Sequence, residues 1–555
     1  MNTNMISHGK NIGESRNNKG GYLFVFISYC LLHLVVASFH EPWYDEAEAW
    51  QIAKCATIEQ ILFSIPHYEG HPPLWHLILT FPAKIGLPYE LSLSIISLLF
   101  SGISVALFLK YAPFSCWLKM VLPFTYFAFY QYGVISRPYC MMMLAIVLVS
   151  ITWKNRNEKP IEFVLSMAFL CLTSSYGIII AGGISIVWVV DIIKEKKTKF
   201  LFDKRVTTLV MLLVFAVVLM SEVMPKSETS ATAGRDITSE LKTLPIRLLF
   251  TFLMLFPESS FTTVLKGDLG LEIENLSLTA AISASIIGIV IWAIIIYYGR
   301  KKNTLRWIAV PYVLYAGFAA MIYFGGHHIG IALLLLLFWA WITYTNVSNK
   351  TGGCADRAIS YICHIVVILG TLISCLWTIK SVALDVKNDY YPTRNIATFI
   401  KDNELTEYSF MVGWREEKDE TTNAISLLDT DSLGAAVALF PYFEHNFSYN
   451  AHSGSDALAY DTHKNAAAEE NYKNIKEWAE KGYPDILFNN PNLYTVFGED
   501  AELPQYKLVF EQPYGIIWKG TQELYAGTIY VRADLLSEIG LKEIQKNLSY
   551  YIHIK

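Results

Sequence analysis

Two acids stand side by side in Glu41-Pro42-Trp43-Tyr44-Asp45-Glu46, just after the first long apolar run, and Gly70-His71-Pro72-Pro73-Leu74-Trp75 follows in the same polar stretch. Carboxylates at the mouth of an apolar run are costly to hold near lipid and are functional candidates by default. Held there, Asp45 is placed to take a proton from a hydroxyl. A plainer reading makes Asp45 the N-cap of a short helix, with Glu48 completing a capping box. The two readings are compatible, because a capping Asp is well held.

Three further groups carry chemistry. Ser136-Arg137-Pro138-Tyr139 lies between two apolar runs, and an Arg in so short a turn must snorkel or pair with an anion. Asp45, Glu46 or a lipid phosphate would serve as its partner. Gly325-Gly326-His327-His328-Ile329-Gly330 places two His in a Gly-rich turn, suited to a phosphate or substrate contact or to ordinary turn histidines satisfied by their neighbours. The pair has no third ligand at metal spacing, so a metal there is poorly supported. His71 enters a helix through two prolines, a favoured start, and suits a phosphate or an ordinary headgroup-zone contact. The chain contains no phosphate-binding loop, no nucleophile elbow, no zincin motif and no C-x-x-C.

The elements that must position these residues are apolar. Runs of spanning or near-spanning length occupy 21–39, 90–110, 117–135, 138–153, 161–176, 177–193, 206–223, 277–298, 306–324, 329–347 and 358–379. The run 72–87 is short and interrupted by Pro72, Pro73, Pro82 and Lys84. Basic loops at Lys154–Lys159, Lys194–Arg205 and Arg300–Arg306, with Lys350 and Arg357, belong in the cytoplasm. Counting back from them puts 40–89 outside only if 72–87 lies along the membrane surface. The expected topology is therefore about eleven spans, a cytoplasmic N-terminus, and an outer face collecting 40–89, the turns at Arg137 and Tyr176, segment 224–276, Gly325–Gly330 and the C-terminal part. Pro245–Pro257 reads as a second interfacial or re-entrant piece.

Composition agrees: 53% of residues are hydrophobic and 17% charged, too apolar for a soluble enzyme. The net charge of −5 offers no attraction to nucleic acid. The expected division is a cytoplasmic tail over 1–20, a transmembrane unit over 21–384 and a C-terminal α/β or α+β domain over 385–555. That domain should have helices at 393–403 and 464–481 and strands at 407–412, 434–440, 484–488, 506–510, 514–518 and 527–532. It contains no Cys, so disulfides do not staple it.

Trp43-Tyr44-Asp45-Glu46, Gly70-His71-Pro72-Pro73-Leu74 and Ser136-Arg137-Pro138-Tyr139, in this order, resemble the GT-C superfamily of integral membrane glycosyltransferases. The resemblance is to bacterial relatives of dolichyl-phosphate-mannose-protein mannosyltransferase and of the lipid A aminoarabinose transferase, over roughly residues 20–350. It implies a GT-C-like fold with interfacial helices in the first outer loop and an extracytoplasmic C-terminal domain. It also implies a hexosyl- or pentosyltransferase of the bacterial cytoplasmic membrane. The donor would be a polyprenyl-phosphate sugar, and the acceptor an envelope lipid, glycan or protein. By the same resemblance Asp45 is the catalytic base and Glu46 an orienting or metal-binding neighbour. A divalent metal, if one is used, would sit on Asp45 or Glu46. His71, Arg137 and Tyr139 fall near the donor phosphate, with His327 and His328 on a late outer loop. His71 stands where many relatives carry Lys or Gln, which leaves the donor sugar open. The rival classes are a flippase of lipid-linked sugars and a non-catalytic envelope-binding protein. The first calls for acids deep inside spans, whereas here they lie at the ends, and the second needs no acid pair.

Overall fold

The computed structural model describes residues 19–196, 203–225, 237–253, 278–322, 324, 326–346, 354–413, 415–418, 425–428, 437–444, 447–448 and 475–544. Residues 1–18 of the expected tail over 1–20, Gly325, and much of 224–276 and of the 464–481 helix lie outside the described residues, and Lys19 and Gly20 already belong to the first helix.

Among the described residues six helices are long and apolar enough to cross a membrane. They include α1 (Lys19–Phe39), α4 (Tyr89–Tyr111), α6 (Ser175–Lys196), α7 (Lys204–Val223) and the stretch Gly326–Thr345, which contains α8 (Ile329–Thr345). The sixth lies within α9 (Cys354–Lys387). Lipid accounts for their surfaces: Phe24, Met211 and Ile379 all project outward, and a helix apolar on every side needs an apolar surrounding. The expected runs 138–153 and 161–176 form shorter apolar helices, α5 (Tyr139–Thr152) and Pro160–Cys171. At 1.5 Å per residue α9 also runs past the compositional boundary at 384/385, which falls in its last turn.

The expected straight span over 117–135 is broken. Cys116–Val121 gives way to a tight turn at Leu122–Phe124 and then to a π-helix over Phe127–Val134. Pro123 has no N–H to continue the α-helical ladder. The loosened carbonyls find outside donors: Tyr29 donates its hydroxyl to Ala128 O at 3.1 Å, and Ser97 donates to Gly133 O. Such wide turns often mark functional sites.

The segment after α1 forms a series of short helices. α2 (Tyr44–Cys55) is followed by Ile58–Phe63, Pro66–Glu69 and α3 (Leu74–Lys84). The eleven residues of α3 span about 16 Å, well short of a hydrocarbon core of about 30 Å. α3 buries Trp75, Leu79 and Ala83 and exposes Phe81, and Ile85 just past its end is exposed too. The helix Ile237–Leu253, within which the expected interfacial piece begins, packs on Arg306–Met321, where Tyr312 donates to Thr251 O at 2.7 Å.

The helices run so that their two ends differ chemically. One end gathers the basic loops, in pairs such as Arg306–Asp191, Arg205–Glu195 and Lys301–Asp356. The other end gathers residues 40–46, 70–71, 136–139, 326–328 and the close of α9.

Beyond α9, the amphipathic helix Thr393–Asp402 buries Ile396, Ala397 and Ile400 against a small sheet of order β1-β4-β6-β5. Its strands are β1 (Phe410–Val412), β4 (Ile486–Phe488), β5 (Tyr506–Trp518) and β6 (Thr521–Arg532). β1 and β4 pair parallel, and β6 runs antiparallel to both β4 and β5. Separately, β2 (Arg415–Lys418) pairs antiparallel with β3 (Ile425–Leu428). The two strands expected at 506–510 and 514–518 are one, bent by an irregularity at Leu508/Phe510. The strand expected over 434–440 is not formed where it is described. Val437–Leu439 is helical and leads into a tight turn at Phe440–Tyr442, because Pro441 suits a turn start. This unit is fastened to the helices by Arg394, which donates to both oxygens of Glu90 at 3.0 and 2.9 Å and to His40 O at 3.2 Å. One apolar core runs from the helices into the sheet.

Candidate functional site

The first loop begins with a correction to its expected cap. α2 starts at Tyr44, its N-cap is Trp43, and Glu46 rather than Glu48 fills the third helical position. Glu46 accepts from the backbone N–H of Trp43 at 3.2 Å, satisfying an orphan donor of the first turn. Asp45 is thereby released from capping, and its carboxylate is ion-paired with Arg137.

The adjacent acids therefore have different fates. Glu46 is 1% exposed and Asp45's side chain 26%. Both grip the same turn. Glu46 accepts from the Ser136 backbone N–H at 2.6 Å, while Asp45 takes the next residue's guanidinium. The Ser136 hydroxyl ties the turn to Leu93 O at 2.9 Å. Arg137 also lies over the Tyr139 ring, 6.0 Å from its centroid.

Behind Glu46 is a buried chain of charge. His40 Nε2 is 3.2 Å from Glu46 Oε2, and His40 Nδ1 is 3.0 Å from Asp385 Oδ2. The same Asp385 oxygen accepts from the Tyr130 hydroxyl at 2.9 Å. Burial alone would lower the His40 pKa, but the Asp385 and Glu46 carboxylates reverse this and lift it to about 10. His40 is an imidazolium between two carboxylates, donating from both nitrogens. Glu41 beside it is buried too. Desolvation, helped by Asp389 and opposed by Arg394, lifts its carboxyl to about 8.

The remaining expected site residues fall nearby. His327 stacks at a tilt against Tyr139, 5.5 Å between centroids, and lies within electrostatic range of Arg137 and His71. Tyr139 is itself stacked on Tyr132 at 4.9 Å, and Tyr132 donates to His327 O. His71 follows Gly70, whose φ of 64° makes the turn and whose carbonyl accepts from Ser175. Burial lowers the His71 pKa to about 4, so it stays neutral and offers a hydrogen bond rather than a positive charge. Its Nδ1 is buried and unpartnered. His328 lies deeper, 3% exposed, with Tyr176 OH 3.4 Å from its Nδ1 and Tyr315 donating to its carbonyl at 2.9 Å. It packs the floor beneath His327.

The chain matches no family model, no curated protein and no solved structure.

The arrangement can do acid–base chemistry at Asp45 and hold an anion near Arg137, with His71 and His327 as neutral or polar neighbours. Among the described residues no group of three or more His, Cys, Asp or Glu is placed to hold a metal. Glu46 already serves the N–H groups of Trp43 and Ser136 and His40. Sequence reasoning missed His40, Asp385 and Tyr130. The 345 positions between His40 and Asp385 leave no local pattern. One signal was available: an acid in the last turn of a helix opposes the helix dipole and calls for a nearby cation.

Proposed function

We propose that this chain is a membrane glycosyltransferase that moves a sugar from a polyprenyl-phosphate donor to an envelope acceptor. Its site would face the outer side of a bacterial cytoplasmic membrane. The observation that carries the reading is the division of labour between the paired acids. Glu46 is locked behind the turn, while Asp45 stays partly open on Arg137. The opposite ends occupied by the basic loops and by this site support the outward placement, since positive loops remain in the cytoplasm. On this topology the chain makes about eleven crossings, and α3 and the C-terminal sheet lie on the outer side.

The acceptor hydroxyl gives its proton to Asp45 as its oxygen bonds to the sugar's anomeric carbon. The bond from that carbon to the phosphate oxygen breaks, and polyprenyl phosphate leaves with the electron pair. A glycosidase needs a second carboxyl group to protonate a poor leaving alcohol. A phosphate leaves as a stable anion, so one base suffices when cations hold the departing charge. The ion pair links both needs. As Asp45 takes the proton it ceases to be the counter-charge of Arg137, and the guanidinium is left for the developing phosphate charge. His71 and His327 donate hydrogen bonds in this account, and Tyr139 walls the site.

Mass spectrometry of envelope lipids and glycans with and without the gene tests the reading. A glycan or lipid lacking one sugar residue is expected in the deletion strain, restored by the wild-type gene and not by the Asp45→Asn gene. Identical envelopes in both strains, with no turnover of polyprenyl-phosphate sugars by the purified protein, would refute it.

A further inference from the structure

We propose that Trp518, at the tip of the β5–β6 hairpin, is the positioning residue for the Gly326–His328 turn, so that the C-terminal sheet completes the candidate site. The inference rests on the proposed function only in taking that turn as part of the substrate site.

The hairpin closes through Lys519 and Gly520, with φ of 43° and 80°. Positive φ at both central residues is the tight hairpin turn whose twist matches its strands. Asn or Gly is usual at the first of these positions, and a Lys there is uncommon. A hairpin tip is also ordinarily wet, yet Lys519 is 4% exposed. Its ammonium lies 5.1, 4.7 and 5.6 Å from the ring centroids of Phe127, Trp377 and Trp518. Three rings around one cation repay part of its lost hydration. The Lys thus anchors the tip between the π-helix and α9, and the Trp518 ring stands 5.8 Å from that of Tyr126.

Held there, the indole lies flush on the turn. A methyl group at Gly326 would come within 2.4 Å of Trp518 Cζ2 and 3.0 Å of Cε2 and Cη2. A rigid ring fastened by its neighbours cannot yield as a flexible side chain would, so only glycine fits. His327 is the next residue. Its carbonyl is fixed by Tyr132, its ring leans on Tyr139, and Phe127 touches both the Lys519 ammonium and the Tyr132 ring. Sheet, indole, turn and His327 form one mechanical series, and an aromatic anchor of this kind has no purpose in a tethered appendage free to swing.

The test is a mutant cycle on the full-length protein in nanodiscs, read by hydrogen exchange and by transfer kinetics. Trp518→Ala should raise amide exchange in peptides covering 326–331 roughly tenfold, and should raise the KM for a polyprenyl-phosphate sugar more than it lowers kcat. Trp518→Phe keeps an aromatic anchor and should restore protection to within about twofold. Gly326→Ala alone should raise exchange as well, and should cost nothing further in the Trp518→Ala background, because the clash is gone. Unchanged exchange in Trp518→Ala, or costs that simply add in the double variant, would overturn the proposal. If Trp518→Ala fails to fold, Gly326→Ala with and without Trp518→Phe decides, since the smaller ring should relieve the clash. The expected exchange pattern without transfer by the wild-type protein would uphold the contact and refute the proposed function.

Discussion

At one end of the helix bundle His40 sits between Glu46 and Asp385, with side-chain exposures of 4%, 1% and 0%. At the other end Arg306 meets Asp191 at 2.8 Å with exposures of 35% and 21%, and Lys159 meets Glu162 with more than half of each side chain in solvent. Both ends pair opposite charges, yet the pairs do different work. The Lys159–Glu162 pair is exposed and gains little, because water and salt screen it. Buried pairs give up hydration for a fixed geometry, and they are strongly destabilised when one partner is removed. A protein keeps such an arrangement where position matters more than stability, and here it sets the turn that carries Arg137.

The comparison breaks first at His40. His40→Ala leaves Glu46 and Asp385 as buried carboxylates without their shared cation, and should cost about 3–5 kcal/mol, lowering the melting temperature by about 10 °C. An unchanged melt would show that the buried chain holds nothing. The same group sets a pH dependence. The His40 pKa is raised from 6.5 to about 10 on folding, so the folded state binds its proton more tightly than the unfolded chain. The resulting stability is fully present below about pH 6.5 and is lost as pH rises toward 10. Glu41, raised to about 8, acts in the same sense. Melts between pH 7 and pH 10 should therefore fall for the wild type and fall less steeply for His40→Gln. A slope that is unchanged in the variant would contradict the assignment. Lys159→Gln should be the mildest change, with a melting temperature within about 3 °C of wild type. A large loss there would mean that the two ends do not differ as described.

How much of this was legible in the sequence follows from the range of the forces involved. The long apolar helices, the short α3 and the β4 strand come from local periodicity, whereas β5 merges two expected strands and β6 begins at Thr521 rather than at 527. The run 117–135 is apolar throughout, so hydropathy reads a span. The break instead depends on Pro123 and on hydroxyl donors from Tyr29 and Ser97 in distant helices. Asp is the stronger N-cap by propensity, but at α2 the tertiary contacts of Glu46 override that preference and the cap falls at Trp43. The convergence of Asp45 with Arg137 was among the expected pairings. The His40–Asp385 contact, and the wedge of Trp518 against Gly326, join segments that no local pattern connects.

The central claim is that the open acid does the chemistry and the locked acid holds its frame. The direct measurement compares sugar transfer from a polyprenyl-phosphate donor by purified Asp45→Asn and Glu46→Gln proteins in nanodiscs, alongside their melts. Asp45→Asn keeps the size of the side chain but removes the base and the counter-charge of Arg137. Transfer should fall by roughly 10²–10⁴-fold, with a smaller loss of melting temperature than Glu46→Gln, whose carboxylate is the more buried of the two. Glu46→Gln should lose stability and activity together, because the amide cannot serve His40 and both backbone N–H groups as the carboxylate does. A folded Asp45→Asn protein that transfers sugar at the wild-type rate would contradict the account.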